Sequence, residues 1–216
     1  MKLKMNHEVS KADRHRVIAA IKLAETQTSG EIIVVAAKQS DDYVHVPIHI
    51  AAGTALAVPF MLPWLARLFP WATVSLWWVF AIQLLVFIGV ALVLSHNWFR
   101  YLVTPRKLMH KYAHRNAATQ FLAFNTHGTG GRTGVLIFVS LLERYVEIIG
   151  DTAIATQVKR EDWQRIVDQM RPILKDQRLC DALVLGVEHC GTTLAKHFPP
   201  NSLNPNELPD HFIVLG

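Results

Sequence analysis

The sequence predicts an α/β domain interrupted by an inserted two-helix transmembrane hairpin, and three observations carry that expectation. First, 51% of the 216 residues are hydrophobic and the mean hydropathy is +0.22, more apolar than an ordinary soluble enzyme. Most of this surplus lies between Val46 and Ser95, where Arg67 is the only formal charge. Second, residues 1–45 and 96–216 have the mixed charge of a globular domain and together exceed the roughly 100 residues one packed core needs. Third, short β-branched runs alternate with amphipathic helical patterns outside the apolar stretch. The chain therefore divides into 1–45, the first part of the domain; 46–96, the hairpin; 97–198, the remainder of the domain; and 199–216, a tail rich in Pro and Asn.

Taken in order, Lys11 to Thr28 places Val17, Ile18, Ile21 and Ala24 at helical spacing among charged residues, and this helix ends near Gly30. Ile32-Ile-Val-Val-Ala36 follows as a buried strand, bounded by Gly30 and the polar run Lys38 to Asp42. The first membrane stretch, Ile50 to Ala66, has 17 residues and contains Pro59 and Pro63, which predicts a short or kinked span. The second, Val74 to Ser95, has 22 residues without a charge, enough for a hydrocarbon core of roughly 30 Å. The short connection makes the two helices antiparallel neighbours, and Trp64, Trp71, Trp77 and Trp78 mark an aromatic belt at one interface.

Beyond the hairpin, Pro105 opens a helix to about Phe124. Val135 to Ser140 and Tyr145 to Ile149 are strands joined by the turn Leu141-Leu-Glu-Arg144, the pattern of a β-hairpin. Trp163, Ile166, Val167, Met170 and Leu174 form one apolar helix face, and Leu183, Val187, Cys190 and Leu194 another. Phe212 to Leu215 is suited to an edge strand or to a groove. Cys180 and Cys190 fall on one helix, roughly 15 Å apart, too far for a disulfide.

Charge sets the orientation. The net charge is +5 and the pI about 9.4, but no basic block alternates with aromatics as a nucleic-acid groove requires, so nucleic acid is excluded as a partner. The first 45 residues carry seven Lys/Arg and six Asp/Glu and no apolar signal core, so the N-terminus is expected to stay in the cytosol. Arg100, Arg106, Lys107, Lys111 and Arg115 follow the second span, against Arg67 alone in the connecting loop, which places both termini on the cytoplasmic side with these cations near lipid headgroups.

Few motifs announce chemistry. The loop His127 to Gly134 is glycine-rich but precedes a strand, whereas a phosphate-binding loop follows one and opens a helix. His110 and His114 lie four apart on one helix with no carboxylate at metalloprotease spacing, and Lys111 and Arg115 beside them describe a solvated or headgroup-facing surface. Asp41 and Asp42 beyond the first strand, Glu143 in the hairpin turn and Asp151 beyond the third strand are strand-end carboxylates. Converging at one sheet edge they would hold a hard divalent cation; standing apart, each would cap a helix or decorate a turn. Glu143 with Arg144 is expected as a surface turn pair, and Arg132 either positions a phosphate or anchors its loop.

The order helix, strand beginning Thr28-Ser-Gly-Glu-Ile-Ile-Val-Val35, polar turn, helix, then the run from Arg132 to Asp151 and two helices resembles the TPM domain. This family occurs in bacterial membrane proteins and in the plant thylakoid lumen protein of photosystem II repair. The resemblance covers about 30–40 and 105–197, strongest over the strand, Glu-Arg turn and strand ending at Gly150-Asp151. It implies calcium or another divalent cation as cofactor, with Asp151 and Asp41 or Asp42 as ligands, and an acid-phosphatase activity. Residues and resemblance together lead to two expected functions. One is a non-catalytic module of the bacterial inner membrane that contacts lipid, binds another integral membrane protein and helps assemble or maintain a complex. The other is a metal-dependent phosphatase at the membrane surface.

Overall fold

The computed structural model describes residues 9–68, 75–125, 133–200 and 212–215. The chain forms two compact units, one of residues 1–40 and 110–216 and one of residues 41–109.

The first unit is built on a four-stranded sheet of β1 (Glu31–Ala37), β2 (Gly134–Ser140), β3 (Tyr145–Gly150) and β4 (Phe212–Leu215), in the order β3-β2-β1-β4. β1 runs parallel to both β2 and β4, while β2 and β3 form the antiparallel hairpin that the sequence predicts, with Ser140 opposite Tyr145 and Val135 opposite Gly150. Every residue of β1 is buried. Its Ile-Ile-Val-Val run has no polar alternation because the strand is central and both its faces are covered. Ile32, Val34 and Ala36 pack with α1 (Lys11–Glu25), α7 (Arg160–Lys175) and α8 (Leu179–His197); Ile33, Val35 and Ala37 pack in a second cluster with Ala117 and Phe121 of α5 (Arg106–Asn125).

The amphipathic faces fall where periodicity puts them. Trp163, Ile166, Val167 and Met170 are buried on α7, and Leu183, Val187, Cys190 and Leu194 on α8. Glycine lets α8 come close to its neighbours: a Cβ on Gly191 would lie 2.7 Å from the Ala24 Cβ of α1, and one on Gly186 would lie 2.8 Å from the Met170 sulfur of α7. Two elements escape the sequence reading, α4 (Asn97–Val103) and α6 (Thr152–Gln157). Both are too short to show a helical period. The tail ends in an edge strand, β4, held by Arg14, whose guanidinium donates to the Phe212 carbonyl (3.0 Å) and lies over its ring.

In the second unit α2 (His45–Leu68) and α3 (Leu76–Ser95) pack against each other, and the Gln83 amide donates to the Ala55 carbonyl at 3.2 Å. A helical hairpin is therefore present, and among the described residues only α3 is long and apolar enough to cross a membrane, with a mean hydropathy of 2.5. Among the described residues α2 supplies a shorter apolar stretch, His45–Met61, so the expected pair of membrane spans is not confirmed and one candidate span stands. Pro59 and Pro63 lie inside α2 without ending it. Much of the apolar surface is exposed, including Phe60, Trp77, Phe80 and Leu85. Arg100, expected near headgroups, donates to the carbonyls of Ser95 and Asp42, both at 2.8 Å. It thereby satisfies the C-terminal end of α3, where a cation is electrostatically favoured.

Candidate functional site

At the carboxyl ends of β1 and β2 the chain buries a hydrogen-bonded network. Because these strands are parallel, their last residues, Ala37 and Ser140, meet at one edge, and the backbone ladder runs on through Leu141 N–H to the Ala37 carbonyl (3.0 Å) and Leu142 N–H to the Lys38 carbonyl (3.1 Å). The turn that follows folds Glu143 back over this edge. Its carboxylate accepts from the Ser40 backbone N–H (2.9 Å) and from the Ser140 hydroxyl, and the Ser40 hydroxyl donates in turn to Ser140 at 2.9 Å. Glu143 is 4% exposed, so the expectation of a surface turn pair is corrected for this residue. A carboxylate inside is tolerable here because several donors satisfy it. Arg144 remains exposed and takes a left-handed conformation, φ 51°, which closes the turn. The order Ser40, Ser140, Glu143 resembles a nucleophile relay, but Ser140 is wholly buried, so the network acts as a clamp between strand ends. The pairing was missed in the sequence because two serines about a hundred residues apart carry no local signal.

Asp151 lies at the opposite end of the sheet. β3 is antiparallel to β2, so its exit falls beside the first residue of β2, and Asp151 N–H donates to the Gly134 carbonyl at 2.9 Å. Glu143 and Asp151 therefore do not converge: a strand of six residues, roughly 20 Å, separates the Glu143 turn from Asp151. Asp151 caps α6, with Oδ1 accepting from Thr152 N–H at 2.5 Å. It is 4% exposed, and its Oδ2 has no hydrogen-bond partner among the described residues. Asp41 and Asp42 belong to the second unit. Asp41 Oδ1 accepts from Tyr43 N–H (2.7 Å), a local turn in which Tyr43 adopts φ 50°. Arg132 lies outside the described residues. Among the described residues no three His, Cys, Asp or Glu side chains are grouped as metal ligands.

Two further groups of titratable residues flank the sheet. His114 Nδ1 sits 2.9 Å from Glu147 Oε2, and the Tyr145 hydroxyl donates to the same oxygen at 3.0 Å. Burial, and then the charge of Glu147, push the Tyr145 hydroxyl well up. His114 is thus engaged by a carboxylate, while His110 lies against the Tyr145 ring. At the amino end of β1, Glu25 accepts from Ile32 N–H at 3.2 Å. Its burial, aided by the charge of Glu31, pushes it up to about 7. Cys180 and Cys190 are free thiols, and burial raises both, Cys180 to about 11, which suits packing rather than nucleophilic chemistry.

Comparison with known proteins agrees with this architecture. Residues 99–193 match the TPM domain family. No curated protein matches the chain. Among solved structures, the NMR structure of the BA42 protein from the psychrophilic bacterium Bizionia argentinensis is similar with a TM-score of 0.58 at 19% identity, over 98% of each chain; at this identity the likeness is one of fold.

Proposed function

From the premise that the chain carries a TPM domain, matched over residues 99–193, we propose that it is a membrane-anchored protein of the bacterial inner membrane that binds another integral membrane protein and helps assemble or maintain a complex. One observation supports this above the others: the α2–α3 hairpin interrupts the domain and leaves its apolar side chains exposed, and a Cβ on Gly53 or Gly89 would meet nothing within 4 Å. The two glycines are not consumed by packing of the hairpin on itself. Small residues on a free helix face allow another helix to approach closely. The test is crosslinking in native membranes with Gly53→Leu/Gly89→Leu. Open space at both sites means that insertion survives, so the expected result is a normally inserted protein that loses its crosslinked companions. Recovery of the same companions at the same yield removes this face from the interface.

The second reading, a divalent-metal-dependent acid phosphatase, is favoured by one observation, the buried Asp151 Oδ2 without a hydrogen-bond partner among the described residues. An oxygen in that state suits a hard cation such as calcium. Calorimetry of the purified protein with calcium, magnesium and manganese is expected to show weaker binding in Asp151→Asn, which keeps the cap but loses the charge. Equal affinity would clear Asp151 of the role.

A further inference from the structure

Helix α5 contains no acidic residue. Arg106, His110 and His114 repeat at four-residue spacing, and Lys107, Lys111 and Arg115 form a second row beside them; all six are exposed. Each four-residue step is about 6 Å along the axis, so each row extends about 12 Å. Two local rules are broken together. Like charges at i,i+4 repel one another, and Arg106 and Lys107 place cations in the first turn, against the positive end of the helix dipole. Among the described residues, only His114 of the six has an ion-pair partner, Glu147; Arg106, Lys107, Lys111 and Arg115 have none. Local rules broken with no compensating partner among the described residues point to a functional surface.

We propose that this double row binds the headgroups of anionic phospholipids. The inference rests on the membrane-anchored reading above. Arg106 stands eleven residues after Ser95, the last residue of the helix apolar enough to cross a bilayer, so even a fully extended connection keeps the row within about 36 Å of that end. The tether therefore keeps the cations within reach of whatever surface α3 enters. Single-stranded nucleic acid fits less well, because its grooves leave aromatic side chains free among the cations for base stacking, whereas the rings in these rows are engaged, His110 against the Tyr145 ring and His114 with the Glu147 carboxylate. A lysine or arginine at an anionic leaflet is worth about fivefold in association, and the unpaired cations act together.

The test uses the full chain reconstituted in vesicles of phosphatidylcholine containing spin-labelled phosphatidylglycerol or spin-labelled phosphatidylcholine as the probe. Electron paramagnetic resonance reads the fraction of each lipid held at the protein. The expected result is a preference for phosphatidylglycerol of about fivefold or more, abolished by 1 M salt and by Lys107→Gln/Lys111→Gln/Arg115→Gln, and kept by Lys107→Arg/Lys111→Arg/Arg115→Lys. Glutamine has a helix propensity close to that of lysine and these positions are exposed, so the variant keeps its fold. Equal partition of the two lipids in the unaltered protein overturns the inference while leaving the anchored reading intact. Failure of the chain to resist alkaline extraction from the vesicles overturns the anchored reading, and the inference with it. Salt-sensitive binding of an RNA oligonucleotide through the same three residues, without lipid preference, also overturns it.

Discussion

Glu25 shows how one side chain makes stability depend on pH. Its carboxyl accepts the Ile32 N–H of β1, but burial, then the charge of Glu31, raise it to about 7, above the roughly 4.3 of an unfolded chain. A carboxyl raised on folding binds its proton more tightly in the native state. Its contribution to stability is therefore complete below the unfolded value and lost as pH climbs through about 7. The melting temperature of the purified protein is expected to fall between about pH 5 and pH 8, and Glu25→Gln, always neutral, to flatten that fall. Parallel curves for the two proteins would show that Glu25 is not the source. Glu143 illustrates the opposite solution at the other end of β1: its buried carboxylate is supplied with donors from Ser40 and Ser140. Nothing in the turn sequence Leu141-Leu-Glu-Arg144 distinguishes such an anchor from a solvated pair, because the donor residue Ser40 lies 103 positions away.

At the scale of elements, the close contact of α8 with α1 is the feature most sensitive to substitution. Gly191 faces Ala24 with no room for a methyl group, the Ala24 Cβ lying 2.7 Å and its Cα 3.3 Å from the added atom. Alanine is the better helix former by about 1 kcal/mol, yet overpacking against a backbone costs about 1–3 kcal/mol. Gly191→Ala is thus expected to destabilise the protein by roughly 1 kcal/mol in chemical denaturation, with recovery on adding Ala24→Gly, apart from that residue's own cost in helix propensity. A gain of stability in the single variant would mean that the two helices separate at little cost. The apolar faces of α7 and α8 were legible in advance because a helical period repeats within a few turns. The closeness of the helices was not, since Gly191 in a helix reads only as a weak position until its neighbour is known.

For the whole molecule, the arrangement of charge around the hairpin predicts orientation. Five basic residues between Arg100 and Arg115 follow α3, against Arg67 alone at the end of α2. If the positive-inside rule governs this chain, a cysteine at Thr73 reacts with a membrane-impermeant reagent added to intact spheroplasts, and one at Ser202 is protected. The experiment requires a chain with Cys180 and Cys190 replaced. Reaction at 202 with protection at 73 would reverse the orientation. The two compact units make the insertion logic visible: the chain leaves the first unit after Ser40 and re-enters it at His110. A composition shift marks this division because apolar residues accumulate between Val46 and Ser95.

By itself the sequence determined the strands and the longer helices, the β2–β3 hairpin, the apolar insertion and the TPM resemblance. These are local properties, readable from period, run length and turn residues within a few positions. Only the tertiary structure decided that β1 is the central strand, parallel to β2 on one side and to a four-residue β4 on the other. It also decided that Glu143 is buried and that Asp151 occupies the far end of the sheet from it. Strand partners are chosen by burial of whole faces and by hydrogen bonds between segments about a hundred residues apart, and no pattern within either segment encodes the other.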